Sequence, residues 1–182
     1  IYQSGYLTIK DYDKEVNLYT LGFPNDEVRY GFLNFLVPYY TQVTDDETGF
    51  HIAQFMRDLR AGDVDAFMEG LKFFAGIPYE LNDNTERHYQ AIFYVVFALL
   101  GQFIGTEVRS ARGRADAVVK TKDTVFVFEF KLNGSAEEAL RQIDEKGYLI
   151  PFMLDGKRLV EVGVNFSKEM RNIDEYIVGE MI

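Results

Sequence analysis

Asp116, Glu129 and Lys131 are the residues whose types and spacing could do chemistry. They lie in Gly113-Arg114-Ala115-Asp116-Ala117-Val118-Val119 and Thr124-Val125-Phe126-Val127-Phe128-Glu129-Phe130-Lys131-Leu132. Both segments are rich in strand formers, and the polar Thr121-Lys122-Asp123-Thr124 between them reads as a hairpin turn. Paired symmetrically about the Lys122–Asp123 bond, Asp116 falls opposite Glu129. Directly opposed residues share a face with Cβ atoms roughly 4.5–5.5 Å apart. Lys131, two residues further along, projects from that face as well. Two carboxylates held that close raise each other's pKa unless a cation lies between them. A hard divalent ion such as Mg²⁺, which takes one or two carboxylates plus water and phosphate oxygens, answers that need. The competing reading is a surface strand in which Lys131 simply pairs with Asp116 or Glu129.

The opposite face of the second strand is an unbroken apolar row, Phe126, Phe128, Phe130 and Leu132. One side of the hairpin is therefore core and the other carries the acids and the ammonium. Around it the sequence predicts a hairpin within residues 1–23, then a helix from Pro24 to about Tyr40. The acidic Thr44–Thr48 stretch reads as a linker and the best domain boundary. Short helices are expected at Phe50–Arg60 and Val64–Phe74, the second capped by Asp63. A long helix over Thr85–Phe103 is apolar nearly all round in its middle and belongs in the core. A strand near Glu107–Arg109 comes before the hairpin. Ser135-Ala136-Glu137-Glu138 is a capping-box signature for a helix to Lys146. Strands close the chain at Arg158–Phe166 and Ile173–Val178. This order predicts an α/β fold, a mixed central sheet flanked by helices and preceded by a short hairpin and helical region.

Composition bounds the chemistry. The 182 residues are 47% hydrophobic, with 16 Phe and 12 Tyr, enough for one good core and a small appended piece. The absence of cysteine excludes disulfides, thiolate metal sites and a cysteine nucleophile. Two histidines, His51 and His88, make an all-histidine zinc site a poor fit. The longest apolar run, Ala91–Leu100, is too short to cross a bilayer, no secretory signal is recognisable, and the expected compartment is the cytoplasm. A net charge of −10 argues against indiscriminate adhesion to nucleic acid. Yet Arg109, Arg112, Arg114, Lys120 and Lys122 surround Asp116 with positive charge. That rim would suit a polyanion held over a metal, or equally a solvated face or an acidic partner domain.

The arrangement resembles the PD-(D/E)XK nuclease superfamily, whose core is a buried helix bearing a glutamate, a hairpin carrying Asp and then (Asp/Glu)-X-Lys, a helix and a further strand. Gly113-Arg114-Ala115-Asp116 and Glu129-Phe130-Lys131 match the two central motifs, with Ala115 replacing the proline of the superfamily's name. Glu86 matches the helical glutamate and Gln142 a polar residue on the helix after the hairpin. The wording around these motifs, with Lys146-Gly147-Tyr148 downstream, is similar to a nuclease-like domain that follows an AAA-type ATPase in many bacterial proteins.

The resemblance covers about residue 85 to the end. It implies catalytic roles for Asp116, Glu129, Lys131, Glu86 and Gln142, and Mg²⁺ or Mn²⁺ held by Asp116, Glu129, Glu86 and the Phe130 carbonyl. It also implies nucleic acid, DNA over RNA, contacted by Arg112, Arg114 and Lys120. Residues 1–44 are expected to be the tail of an upstream linking or winged-helix region, and 45–182 the nuclease-like domain, with its core at about 84–182. The start at Ile1, directly before a strand-like pattern, suggests a piece of a longer protein with an ATPase domain upstream. Plainer readings stand beside the roles: Glu86 as an acid favouring a helix N-terminus, Gln142 as an exposed helix residue, His88 as a surface histidine. The alternative function is a catalytically idle module that binds nucleic acid or a protein and regulates an attached ATPase.

Overall fold

In the computed structural model, residues 5–41, 43–76, 86–101, 105–108 and 115–181 are described, those at 45, 86–88, 90, 105–108 and 181 by their backbone alone. The hairpin β1 (Thr8–Asp13) and β2 (Leu18–Gly22) leads into helices α1 (Asp26–Tyr40), α2 (Asp45–Ala61), α3 (Val64–Ala75) and α4 (Glu86–Leu100). Strands β3 (Gly105–Val108), β4 (Ala117–Lys120) and β5 (Thr124–Leu132) follow, then α5 (Ala136–Lys146), β6 (Arg158–Ser167) and β7 (Asn172–Met181). The five later strands form one mixed sheet in sequence order. Only β5 and β6 run parallel, and α5 connects them as the crossover such a pair requires.

Side-chain alternation builds the layers. Phe126 and Phe128 of β5, Ala117 and Val119 of β4, and Val160, Val162, Val164 and Phe166 of β6 share one face, packed into a single core with α1–α4. Phe93 of α4 stacks on Phe130 at 4.2 Å between ring centroids, and Phe97 meets Phe128 at 5.0 Å. Such pairs add roughly 0.5–1.5 kcal/mol each beyond area burial. The other face of the sheet is covered by α5: Val118, Val125, Val127 and Leu159 pack with Ile143 and Leu149. β5 is thus buried on both sides, and the site face is no surface strand.

Local chemistry explains the boundaries. The Asn25, Asp63 and Ser135 side chains each accept a hydrogen bond from the backbone N–H three residues on, capping α1, α3 and α5. Thr44–Thr48, expected as a linker, instead opens α2. The Glu47 carboxylate accepts from both the N–H and the hydroxyl of Thr44, closing a capping arrangement. Gly62 and Gly147 end α2 and α5 in the left-handed region that glycine adopts without strain. Leu33 and Val37 of α1 lie in the same core as α4 and the sheet. No helix among the described residues is long and apolar enough to cross a membrane.

Candidate active site

The hairpin register is the one expected from the sequence: Ala117 pairs with Phe128, Val118 with Val127, Val119 with Phe126 and Lys120 with Val125. The N–H of Thr121 donates to the carbonyl of Thr124 at 2.9 Å, closing the turn around Lys122-Asp123. The next rung places Asp116 opposite Glu129. There the backbone ladder stops and a side chain takes over, because the Asp116 carboxylate accepts from the Phe130 N–H at 3.0 Å. In an extended strand the N–H and C=O of one residue point to the same edge. The Phe130 carbonyl therefore faces the side on which its N–H meets Asp116.

Glu129 is only 4% exposed. One of its oxygens, Oε1, accepts from the Gln142 side-chain amide and lies 3.8 Å from the Lys131 ammonium. Gln142 in turn accepts from Lys131 through its amide oxygen, so one side chain bridges acid and base. An ammonium can only donate and a carboxylate only accept, which fixes the orientation of that amide. Tyr148 Oη lies 3.5 Å from the same amide nitrogen. The second oxygen, Oε2, is buried without a hydrogen-bond partner. Burial first, and then the charge of Asp116, push the Glu129 carboxyl up to about 7, against the opposing pull of Lys131 and its hydrogen bonds.

This donor set suits a hard cation. Two carboxylates repel, a buried carboxylate oxygen is unsatisfied, and a backbone carbonyl faces the same edge. Among the described residues no group of three His, Cys, Asp or Glu side chains converges as a metal cluster, so these two acids would need the carbonyl, water or a phosphate to complete a shell.

The structure brings Asp116, Glu129, Lys131 and Gln142 together. Glu86 is the first residue of α4, and its side chain, like that of His88, lies outside what is described. Arg112 and Arg114 also lie outside the described residues. Lys120 is at the far end of the hairpin, four residues and about 13 Å along β4 from Asp116. Its ammonium lies 4.6 Å from the centroid of the Phe152 ring.

Sequence reasoning missed the residues that hold α5 in place. Asn165 accepts from the Gly134 N–H and Glu175 from the Ala136 N–H, anchoring the start of the helix. Gly163 lets the helix approach: a Cβ there would lie 2.3 Å from the Ala136 carbonyl oxygen. Glycine inside a strand is the available signal for such a close approach.

The sequence profile of the PD-(D/E)XK nuclease superfamily matches residues 84–176, which contain every residue of this site. An uncharacterised protein from the vnfD 5′ region of Azotobacter chroococcum mcd 1 is 30% identical over 194 residues. That alignment covers 100% of this chain and 37% of the relative, so the chain spans well under half of that protein's length. No solved structure matches the chain.

Proposed function

The chain belongs to the PD-(D/E)XK nuclease superfamily, and on that premise we propose that it is a metal-dependent phosphodiesterase that cleaves nucleic acid, DNA in preference to RNA. The observation that carries the reading is Glu129: a carboxylate buried against Asp116, with one oxygen unsatisfied and Lys131 beside the other. A structural ion pair would spend its burial on mutual satisfaction, and this one leaves an acceptor open.

Asp116, Glu129 and the Phe130 carbonyl would hold Mg²⁺ or Mn²⁺, with Glu86 as a further contributor. When bound, such an ion supplies Lewis-acid chemistry, acidifying water and offsetting the charge that builds on the scissile phosphate. Lys131 supplies a compact positive charge to orient the attacking water or the phosphoryl oxygens. Gln142 is a positioning residue that fixes the Lys131 ammonium relative to Glu129. Asp116 also closes the end of the hairpin, so the strand geometry and the ligand geometry are set by one carboxylate. Arg112, Arg114 and Lys120 are proposed to contact the phosphate backbone.

In the same reading residues 84–182 form the nuclease-like core and 45–83 its helical N-terminal part. Residues 1–44 are the tail of an upstream linking or winged-helix region, joined to an AAA-type ATPase in a cytoplasmic protein.

A nicking assay on supercoiled plasmid and on structured RNA, with Mg²⁺ or Mn²⁺, tests the proposal. Asp116→Asn, Glu129→Gln and Lys131→Met are each expected to lower nicking by at least about 10²-fold, in the range of a lost charge-stabilising group. Nicking that survives Glu129→Gln removes this site from the reaction. Failure of the wild-type chain to nick any substrate in either metal favours the idle regulatory module.

A further inference from the structure

α5 covers a second pair of carboxylates. Glu161 sits in the middle of β6, paired with Val127 of β5 on one side and Gly179 of β7 on the other. Glu129 is paired with Gly163, so Glu161 and Glu129 project from the same face on adjacent strands, offset by two residues. Their Cα atoms are then roughly 8 Å apart, from a strand spacing of about 4.8 Å and a rise of about 3.3 Å per residue. Glu161 is 6% exposed, and its Oε1 is buried with no hydrogen-bond partner.

The helix explains why the two acids have different neighbours. Successive helical residues are turned by about 100°. Ile143 points down into the packed layer under α5, so Gln142 and Asp144 flank it on opposite sides. Gln142 reaches Glu129 and Lys131, while the exposed Asp144 stands within hydrogen-bond reach of Glu161. Among the described residues no Lys, Arg or His forms an ion pair with either member of this second pair. Gly179 lets Glu161 and Leu140 pack against β7: a Cβ there would lie 3.2 Å from Glu161 Oε2 and 3.5 Å from Leu140.

Leaving the buried Oε1 of Glu161 without a cation or a donor is costly, and an adjacent second carboxylate adds to the cost. We propose that Asp144 and Glu161 form a second site for a hard divalent cation, Mg²⁺, Mn²⁺ or Ca²⁺, that staples α5 to the sheet. Burial first, then the charge of Asp144, push the Glu161 carboxyl above the usual carboxylate range, in the direction that a bound cation would reverse. The ion would act on the first site only through α5, by holding the helix that carries Gln142.

Mn²⁺ titrations of the 182-residue chain at pH 8, read by the electron paramagnetic resonance of free Mn²⁺, test the proposal. The Asp116→Asn/Glu129→Gln double variant is expected to retain one site. Adding Asp144→Asn or Glu161→Gln is expected to weaken that site at least tenfold and to remove the Mn²⁺-induced rise in melting temperature. Asp144 is exposed, so its variant tests the site without disturbing the core; circular dichroism confirms the fold. Unchanged Mn²⁺ binding in Asp144→Asn and Glu161→Gln overturns the proposal, as does a double variant that binds no Mn²⁺. If Asp116→Asn/Glu129→Gln binds Mn²⁺ as the wild type does, and the binding depends on Asp144 and Glu161, this site stands and the metal reading of the first one falls.

Discussion

Replacing Glu129 with glutamine should stabilise the protein at alkaline pH and do little at acidic pH. The Glu129 carboxyl is pushed from 4.5 to about 7 by burial and by Asp116. A carboxyl whose pKa is raised on folding holds a proton in the folded state that the unfolded chain releases. Between these two values the folded state binds more protons, so stability falls as pH rises. The penalty is small below 4.5, grows through the window and is complete above 7. At 1.36 kcal/mol per pKa unit it reaches about 3 kcal/mol at pH 8.5 and under about 1 kcal/mol at pH 5. An amide cannot ionise, and its oxygen can still accept from Gln142, so the variant escapes most of the penalty.

For a chain of this size 1 kcal/mol moves the melting temperature by about 2–4 °C. Thermal melts in metal-free buffer should therefore show Glu129→Gln above wild type by about 6–12 °C at pH 8.5 and by no more than about 4 °C at pH 5. Glu161 titrates in both proteins and cancels in the difference. Mg²⁺ should raise the wild-type melting temperature and close the gap, because an ion that binds only the folded state stabilises it by mass action. A gap that is constant across pH, or a variant less stable than wild type at pH 8.5, refutes the reasoning.

Two further substitutions separate architecture from chemistry. Asp116→Ala leaves the half-buried Phe130 N–H without its acceptor, which should cost about 1–3 kcal/mol in denaturant melts, whereas Asp116→Asn keeps an acceptor and should cost less than half as much. Gly163→Ala puts a Cβ 2.3 Å from the Ala136 carbonyl oxygen and 2.7 Å from the Leu140 nitrogen. It should lower stability by about 1–3 kcal/mol or more and lower the nicking rate in the remaining folded protein by displacing Gln142; an unchanged melting temperature would refute the close approach of α5 to β6.

The hairpin was legible because period-two alternation puts the phenylalanines of β5 on one face, and a polar four-residue turn sets the register that pairs them with Ala117 and Val119. The helix after it was legible from Ser135, whose hydroxyl does cap α5. Thr44 and Glu47 carry the same pattern three residues apart, but the acidic composition around them favoured a linker, and local capping chemistry won over composition. Residues 158–166 read as an ordinary strand, and nothing local distinguishes a buried glutamate at 161 from a solvated one. Its burial is decided by a helix some twenty residues away, which no periodicity records. Asn165 and Glu175 were missed for the same reason: their partners are Gly134 and Ala136, far apart in sequence and adjacent only once β6 lies parallel to β5.

The geometry of the site is therefore set as much by α5 as by the hairpin. The hairpin alone would put two acids and an ammonium on one face and leave the ammonium free to swing, since a lysine side chain carries about 2 kcal/mol of rotamer entropy. Gln142 removes that freedom by accepting from Lys131 while donating to Glu129. It can do so only because Gly163 admits the helix backbone and Asn165 and Glu175 hold its first turn. The same covering helix excludes water from Glu129, and that exclusion makes a cation or a proton necessary there. Positioning and electrostatic demand thus have one structural cause, the seating of α5 on β6.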